Sequence, residues 1–321
     1  MSRSLKKFLK IAVPILIGAG LVFYSFSSTS PEDRTKILES IQNADLKWVF
    51  LSILIGILSH ISRAVRWNYL LSPLGYKPRL INNVLIILTS YFANTLVLRS
   101  GEFLRATALT TYESVPFEKG FGTIVTERII DVIMLMLIIV TALLFQTDVI
   151  LGILQEKGIG LVGSLALLVT GILGLLIAIR IIKKSTSNFA VKVKNFLSGL
   201  LEGVLSIFKM KNKWAFIFHT FFIWICYIAM FWVIKFTVPE TTNLPLGAFL
   251  VAFVAGAFAM AATNGGLGLF PIVVTAALSV YGVSKTSGDA YGWIMWTAQT
   301  LMVVIFGTIS FIVLPLLNRN R

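Results

Sequence analysis

The chain has 321 residues, of which 57% are hydrophobic and only 13% are charged, and its mean hydropathy is +0.87. A soluble domain of this length needs far more polar surface, so the composition excludes an ordinary soluble enzyme. The net charge of +14 is divided among short basic clusters between long apolar runs, which is typical of a membrane protein and not of a nucleic-acid-binding protein.

Six apolar segments are long enough to cross a bilayer, which takes roughly 20 residues. They lie at residues 8–27, 48–71, 121–146, 159–180, 214–236 and 291–315. The first has the basic flank of a signal peptide but no clear cleavage site, so we interpret it as an uncleaved first helix. Pro31, followed by two acidic residues, predicts a short interfacial helix after it.

The basic clusters set the orientation. Those at residues 3–10, 180–213 and 319–321 place the N-terminus, the longest polar loop and the C-terminus in the cytoplasm. The apolar segment from Leu80 to Leu98 then cannot cross the membrane alone. We predict that it returns through residues 101–111 as a re-entrant hairpin with its tip near residues 98–101.

The same reasoning applies to residues 246–281, which must begin and end outside. The run from Thr263 to Gly268 reads TNGGLG and breaks this segment in mid-membrane. The sequence therefore predicts a second re-entrant hairpin, which enters from the opposite side.

A helix, a hairpin and a helix thus occur twice with opposite orientation, at residues 48–146 and 214–315, with the helix at 159–180 linking them. This is the inverted-repeat plan of many transporters. We predict one integral membrane domain over residues 1–321, all-α, with about six transmembrane helices and two re-entrant hairpins, in the inner (plasma) membrane. The alternative is eight to ten full crossings.

Two arginine-containing motifs lie close to the first hairpin. Arg63 and Arg66 share one helix face and suit bidentate contact with a phosphate, although they could also anchor the helix at the membrane surface. On the hairpin, Glu102 lies three residues from both Arg99 and Arg105 and could pair with either. One carboxylate between two arginines leaves a spare positive charge for an anionic head group. The alternative is a structural ion-pair network.

A third charged motif, Glu127-Arg128-Ile-Ile-Asp131, precedes a long apolar run. Buried charges need partners, which Arg99 or Arg105 could supply to these carboxylates. We therefore expect this helix to pack on the first hairpin. Either carboxylate could also carry protons.

At the second break, Asn264, Gly265 and Gly266 would expose backbone amides and carbonyls to a ligand, although glycines there could instead serve close helix packing. Cys226 is the single cysteine, and the two histidines, His60 and His219, are far apart. We expect both histidines to hydrogen-bond inside the helix bundle. We predict no metal site, no cofactor and no catalytic nucleophile.

The ordered set Arg63-x-x-Arg66-Trp67, Arg99-Ser-Gly-Glu102-x-x-Arg105, Glu127-Arg128-x-x-Asp131 and Asn264-Gly-Gly-Leu-Gly resembles the lysylphosphatidylglycerol synthase transmembrane (flippase-like) family, from about residue 8 to 315. In the best-known members of that family this region moves an aminoacylated phospholipid between leaflets and is fused to a synthase domain. No synthase domain follows Arg321, so we interpret the chain as a stand-alone member. The resemblance implies lipid handling and leaves the lipid open.

We therefore expect a flippase or transporter for an anionic or aminoacylated phospholipid or a lipid-linked molecule. Membrane lipids are the expected partners, and nucleic acid is not. Two other functions stay open. One is a membrane-embedded transferase that uses Glu127 and Asp131. The other is an assembly factor that recruits a soluble enzyme through the basic loop at residues 180–213. The sequence also leaves a homo-oligomer open.

Overall fold

The computed structural model describes residues 29–97, 99–147 and 210–319, with scattered residues between 16 and 27 and between 151 and 194. Nine helices account for most of these three ranges: α1 Pro31–Gln42, α2 Leu46–Leu71, α3 Leu80–Leu96, α4 Ser100–Glu113, α5 Phe117–Phe145, α6 Lys213–Val233, α7 Leu246–Ala262, α8 Leu269–Ser279 and α9 Lys285–Leu317. No strand occurs among the described residues, which confirms the all-α class. The predicted helices at residues 8–27 and 159–180, and most of the loop at 180–213, fall outside this description.

Four helices are long and apolar enough to cross a membrane, namely α2, α5, α6 and α9. They correspond to four of the six predicted spans, so the chain is a polytopic helical membrane protein. The largest difference is at the start of α9, which begins at Lys285 instead of near residue 291. Ser284 caps α9 by accepting from the backbone N–H of Ser287, which adds a polar first turn that hydrophobicity does not reveal.

The remaining apolar helices are too short for a perpendicular crossing. α3 and α7 have 17 residues each and α8 has 11. At 1.5 Å per residue, the two longer ones reach only about 25 Å, whereas the hydrocarbon core is roughly 30 Å thick.

Helices α3 and α4 form an antiparallel hairpin. At its open end, the side-chain amide of Asn82 donates to the carboxylate of Glu113. Near its tip, the backbone N–H of Gly101 donates to Asn94 Oδ1 over 2.7 Å. A Cβ at Gly101 would overlap the carbonyl oxygen of Ser90, so this close approach of α4 to α3 requires glycine. The chain reverses between Leu96 and Ser100, where the sequence places the tip.

Helices α7 and α8 flank the second predicted break. Gly265, Gly266 and Gly268 there have φ angles of 60°, 78° and 72°, which glycine adopts readily. Beyond the break, the chain returns along α7, because the ring of Phe270 lies 2.7 Å from where a Cβ of Gly256 would be. Both interrupted segments therefore fold back on themselves.

Helix α9 packs on both hairpins, and the first half of α9 contacts the second hairpin. Gly292 lies against Pro271, and Gly288, one turn earlier on α9, lies against Thr275. Farther along, the indole N–H of Trp296 donates to the carbonyl of Gly265 over 2.8 Å. α8 therefore runs antiparallel to α9, with its break near the middle of α9.

The second half of α9 contacts the first hairpin. Gly307 of α9 lies against Phe92 of α3. At the end of α9, Asn318 and Asn82 exchange hydrogen bonds of 3.0 and 3.1 Å. α3 and α8 thus lie end to end along α9, and a Cβ on Gly265 would be 3.7 Å from Thr95 Cγ2. The two hairpins start at opposite ends of α9 and meet near its middle.

The chain divides into two compact units, residues 1–127 with 214–321, and residues 128–213. An aromatic core stabilises the first unit around Phe231, whose ring makes edge-on contacts with Phe249, Phe270 and Tyr291. The Tyr291 hydroxyl donates to the Phe231 carbonyl, which satisfies a polar group that is fully buried. This core holds α6 to α9 together, and the hairpins and the site below belong to the same unit.

Candidate ligand-binding site

Glu127 lies at the centre of a buried charged cluster. Its Oε1 accepts from Arg63 Nη1 over 2.6 Å and from Arg105 Nη1 over 2.8 Å. Its Oε2 accepts from Arg105 Nη2 over 2.9 Å, so Arg105 binds the carboxylate with both arms of its guanidinium. Arg66 Nη2 lies 3.8 Å from Oε1. We call these four residues the arginine cluster.

Three helices position the cluster. Arg63 and Arg66 lie one turn apart on α2, Arg105 lies one turn after the glycine contact of α4, and Glu127 lies on α5. The predicted packing of the Glu127 helix on the first hairpin is present in the Arg105–Glu127 contact. Arg63 is eight residues, or about 12 Å, from the end of α2.

Each member of the arginine cluster has an exposed fraction of 3% or less. Within the part of the chain that the structure describes, three guanidinium groups converge on one carboxylate. Burying ions costs several kcal/mol each, and direct partners must offset that cost. Guanidinium forks bind a carboxylate and a phosphate with the same geometry.

Polar and aromatic side chains surround the arginine cluster. The indole ring of Trp67 lies under Arg105, with the guanidinium carbon 3.8 Å from the ring centroid, and its N–H donates to Thr123 Oγ1 over 2.9 Å. Arg66 donates to Thr220 Oγ1 over 3.2 Å, and Arg63 donates to the Tyr227 hydroxyl over 3.2 Å. These contacts hold each guanidinium plane facing the carboxylate.

Tyr227 and Thr220 were not identified from the sequence. Both lie on α6, which the sequence presents as an apolar span with no charged residue near either of them. The one signal in the sequence was the presence of polar residues on an apolar helix. The face of α6 that meets α2 carries Tyr227, Thr220 and His219. On this face, His219 Nδ1 lies 2.8 Å from the Ser62 hydroxyl. The expected hydrogen bond of His219 is therefore present.

Arg99 and Glu102 do not belong to the arginine cluster, although their spacing from Arg105 made them candidates. Arg99 has a left-handed backbone with φ 60° at the hairpin tip, and its side chain is exposed. Of the two partners that the spacing allowed for Glu102, Arg105 is taken, because Glu127 binds both arms of that arginine. Glu102 forms no ion pair with any described residue, and its Oε2 is buried without a hydrogen-bond partner there.

The other predicted residues lie elsewhere. In the second unit, Arg128 and Asp131 form an i,i+3 ion pair of 3.3 Å. Asn264 is buried at the second break, and neither polar atom of its side chain has a hydrogen-bond partner in the described ranges. Gly265 accepts from Trp296, and Gly266 packs against Met260 and Phe270, so close helix packing accounts for part of the glycine pattern.

The ordered motifs extend over nearly the whole chain, and so does the similarity to known proteins. A family model described as the lysylphosphatidylglycerol synthase TM region matches residues 11–307. The chain belongs to this family. The matched range includes the arginine cluster, both hairpins and all but the last ten residues of α9.

Two curated relatives are also similar, both described as UPF0104 membrane proteins. The one from Methanocaldococcus jannaschii is 30% identical over 99 residues, which is 30% of this chain and 30% of the relative. The one from Pyrococcus horikoshii is 27% identical over 191 residues, or 58% of this chain and 52% of the relative. The matched segment thus covers 30% of the length of the first relative and 52% of the length of the second. No solved structure matches the chain.

Proposed function

We propose that the protein is a transporter that moves an anionic or aminoacylated phospholipid, or a lipid-linked molecule, between membrane leaflets. The observation that carries this proposal is the convergence of Arg63, Arg66 and Arg105 on Glu127 inside a helix bundle. Charges buried in membrane helices face a partner or a transported group far more often than lipid. Family membership is consistent with a lipid-related role.

The two hairpins are the elements that would move during the proposed transport. We propose that α3–α4 and α7–α8 are re-entrant and enter from opposite faces of the inner membrane, as two halves of an inverted repeat, with both termini cytoplasmic. Their short helices, their opposite starting points on α9 and their meeting near its middle support this arrangement. Non-helical backbone at that depth is tolerated where it is buried in protein or lines a polar cavity.

In the transport cycle that we propose, a lipid phosphate takes the place of Glu127 on one arginine while the carboxylate keeps the others. The exchange preserves the charge-assisted hydrogen bonds of each guanidinium, so it need not cross a large electrostatic barrier. Relative movement of the two hairpins then opens the arginine cluster to one leaflet at a time. The lipid leaves chemically unchanged.

Transport into sealed vesicles tests the proposal. Purified protein is reconstituted into phosphatidylcholine vesicles with a trace of fluorescent phosphatidylglycerol, and dithionite bleaches the lipid that reaches the outer leaflet. Active vesicles lose nearly all fluorescence, whereas protein-free vesicles lose only the outer-leaflet share. Extracted lipid of unchanged mass separates transport from a transferase reaction.

Arg105→Lys is the informative variant. It keeps the charge but loses the two-armed contact, so we expect the transport rate to fall about tenfold. Arg319→Lys is the matched control, because Arg319 is exposed and distant from the arginine cluster in sequence. Equal rates for the two variants, at equal amounts of folded protein, would remove the arginine cluster from the transport path.

A further inference from the structure

Next to the arginine cluster, four aromatic side chains from three helices form a chain of contacts that reaches one arm of Arg63 through Tyr227. The Tyr227 hydroxyl accepts from Arg63 and lies 3.4 Å from the hydroxyl of Tyr91. The centroid of the Tyr91 ring lies 4.5 Å from that of His60, with the two rings tilted by 51°, and the ring of Trp224 meets Tyr227 edge-on at 5.9 Å. His60, Tyr91, Trp224 and Tyr227 are called the aromatic subsite below.

Two polar atoms of the aromatic subsite have no hydrogen-bond partner in the described ranges. They are Nδ1 of His60 and Nε1 of Trp224, and these side chains are 4% and 8% exposed. Buried polar groups in folded proteins are almost always hydrogen-bonded, because losing contact with water without a replacement is costly. Two such atoms, on side chains that Tyr91 and Tyr227 connect to a buried guanidinium, indicate a place for a polar group that is not part of the chain.

The hydrogen-bonding properties of His60 Nδ1 and Trp224 Nε1 indicate which ligand group fits the aromatic subsite. Trp Nε1 is only a donor, so the group needs an acceptor, which an ammonium does not have. Arg63, which contacts the ring and the hydroxyl of Tyr227, would repel an ammonium. Hydroxyl groups donate and accept, so they satisfy the indole and either tautomer of the imidazole.

We propose that the aromatic subsite binds the hydroxyl groups of a neutral polyol or sugar that is joined to the phosphate held by the arginine cluster. The inference rests on the proposed function and narrows its cargo to hydroxyl-bearing phospholipids instead of aminoacylated ones. Rigid aromatic walls with a few convergent polar atoms are typical of sites for such uncharged groups.

Lipid binding to the detergent-solubilised full chain, measured by native mass spectrometry, tests the inference. The probes are dioleoyl phosphatidylinositol, dioleoyl phosphatidylmethanol and dioleoyl phosphatidylethanolamine. The first two carry the same single negative charge and differ in hydroxyl groups, whereas the third carries an ammonium. We expect phosphatidylinositol to bind about 10-fold more tightly than phosphatidylmethanol, and phosphatidylethanolamine to bind most weakly.

The variants Trp224→Phe and His60→Phe each remove one polar atom and keep an aromatic ring. Each should reduce the ratio of the phosphatidylmethanol and phosphatidylinositol dissociation constants by about 3- to 10-fold. Trp214→Phe makes the same change at a side chain that is 74% exposed, so its ratio should equal the unmodified protein's.

Equal binding of phosphatidylinositol and phosphatidylmethanol by the unmodified protein overturns the inference without any variant. So does tighter binding of the ammonium lipid, or a preference for phosphatidylinositol that survives both variants. The vesicle assay reports separately on the proposed function: transport without the preference refutes only the subsite, whereas the preference without transport refutes only the transporter.

Discussion

Glu127 shows how one residue organises a buried site. It accepts three hydrogen bonds from two arginines, with a third arginine within 4 Å. In the proposed transport cycle, the same side chain stabilises the closed arrangement and competes with an incoming phosphate. A carboxylate is suited to both roles, because its two oxygens match the guanidinium fork and its single charge is no greater than that of a lipid phosphate diester.

Replacing Glu127 with Gln should destabilise the protein strongly. The substitution keeps the shape but leaves the guanidinium groups in a low-dielectric interior without their central anion, at a cost of about 3–5 kcal/mol. Thermal unfolding in detergent measures the loss. The exposed Glu118, on the same helix, provides the control variant Glu118→Gln. An added anionic lipid should restore more stability to Glu127→Gln than to the control; identical unfolding temperatures would contradict the central role of the carboxylate.

Trp67→Phe should cause a smaller loss. Phenylalanine keeps a ring under Arg105 but loses the hydrogen bond to Thr123 and leaves a void at a fully buried position. The expected cost is about 1–3 kcal/mol, measured by the same unfolding assay. If Trp67→Phe unfolds at the temperature of Trp214→Phe, the indole does not support the site.

The sequence identified the charged members of the site and part of their pairing. Arg63, Arg105 and Glu127 stood out because charges in apolar helices are rare, and Arg105 was one of two partners considered for Glu127. The Arg63–Glu127 pair was not predicted, since these residues are 64 positions apart and local spacing does not relate them. The uncharged neighbours on α6 were missed, because Tyr and Thr are ordinary residues in a membrane helix.

At the scale of helices, the breaks were more predictable than the packing. Glycines with positive φ mark the second break, and the polar run from Arg99 marks the first, so both reversals are readable from local chemistry. The close approach of α4 to α3 at Gly101 could not be predicted from the sequence, because a glycine in a helix does not indicate which segment packs against it. That contact depends on where α3 lies.

Gly101→Ala therefore tests the first hairpin. The added methyl would overlap the Ser90 carbonyl and the Asn94 side chain, and should cost about 1–3 kcal/mol through forced separation of α3 and α4. Gly122→Ala is the matched control, because nothing lies within 4 Å of its Cβ position, and alanine favours the helix. Thermal unfolding and transport are measured for both. Similar behaviour of the two variants would mean that the hairpin is not packed this tightly.

For the whole molecule, cysteine labelling tests the proposed topology. In a Cys226→Ser background, a membrane-impermeant maleimide should label Glu32→Cys on intact cells, and Lys77→Cys only after permeabilisation. Arg99→Cys, at the hairpin tip, should resist labelling from outside, because a re-entrant hairpin does not reach that face. Labelling of Arg99→Cys on intact cells, as readily as Glu32→Cys, would show that α3 and α4 cross the membrane fully.

The end-to-end arrangement of α3 and α8 has a mechanical consequence. Both helices lie along α9, and a Cβ added to Gly265, in the break before α8, would be 3.7 Å from Thr95 Cγ2 of α3. Neither helix can slide toward the midpoint unless the other slides back by a similar distance. Movement of one helix toward the middle of α9 would therefore require movement of the other helix away from it. No additional structural element would be needed to couple the two movements.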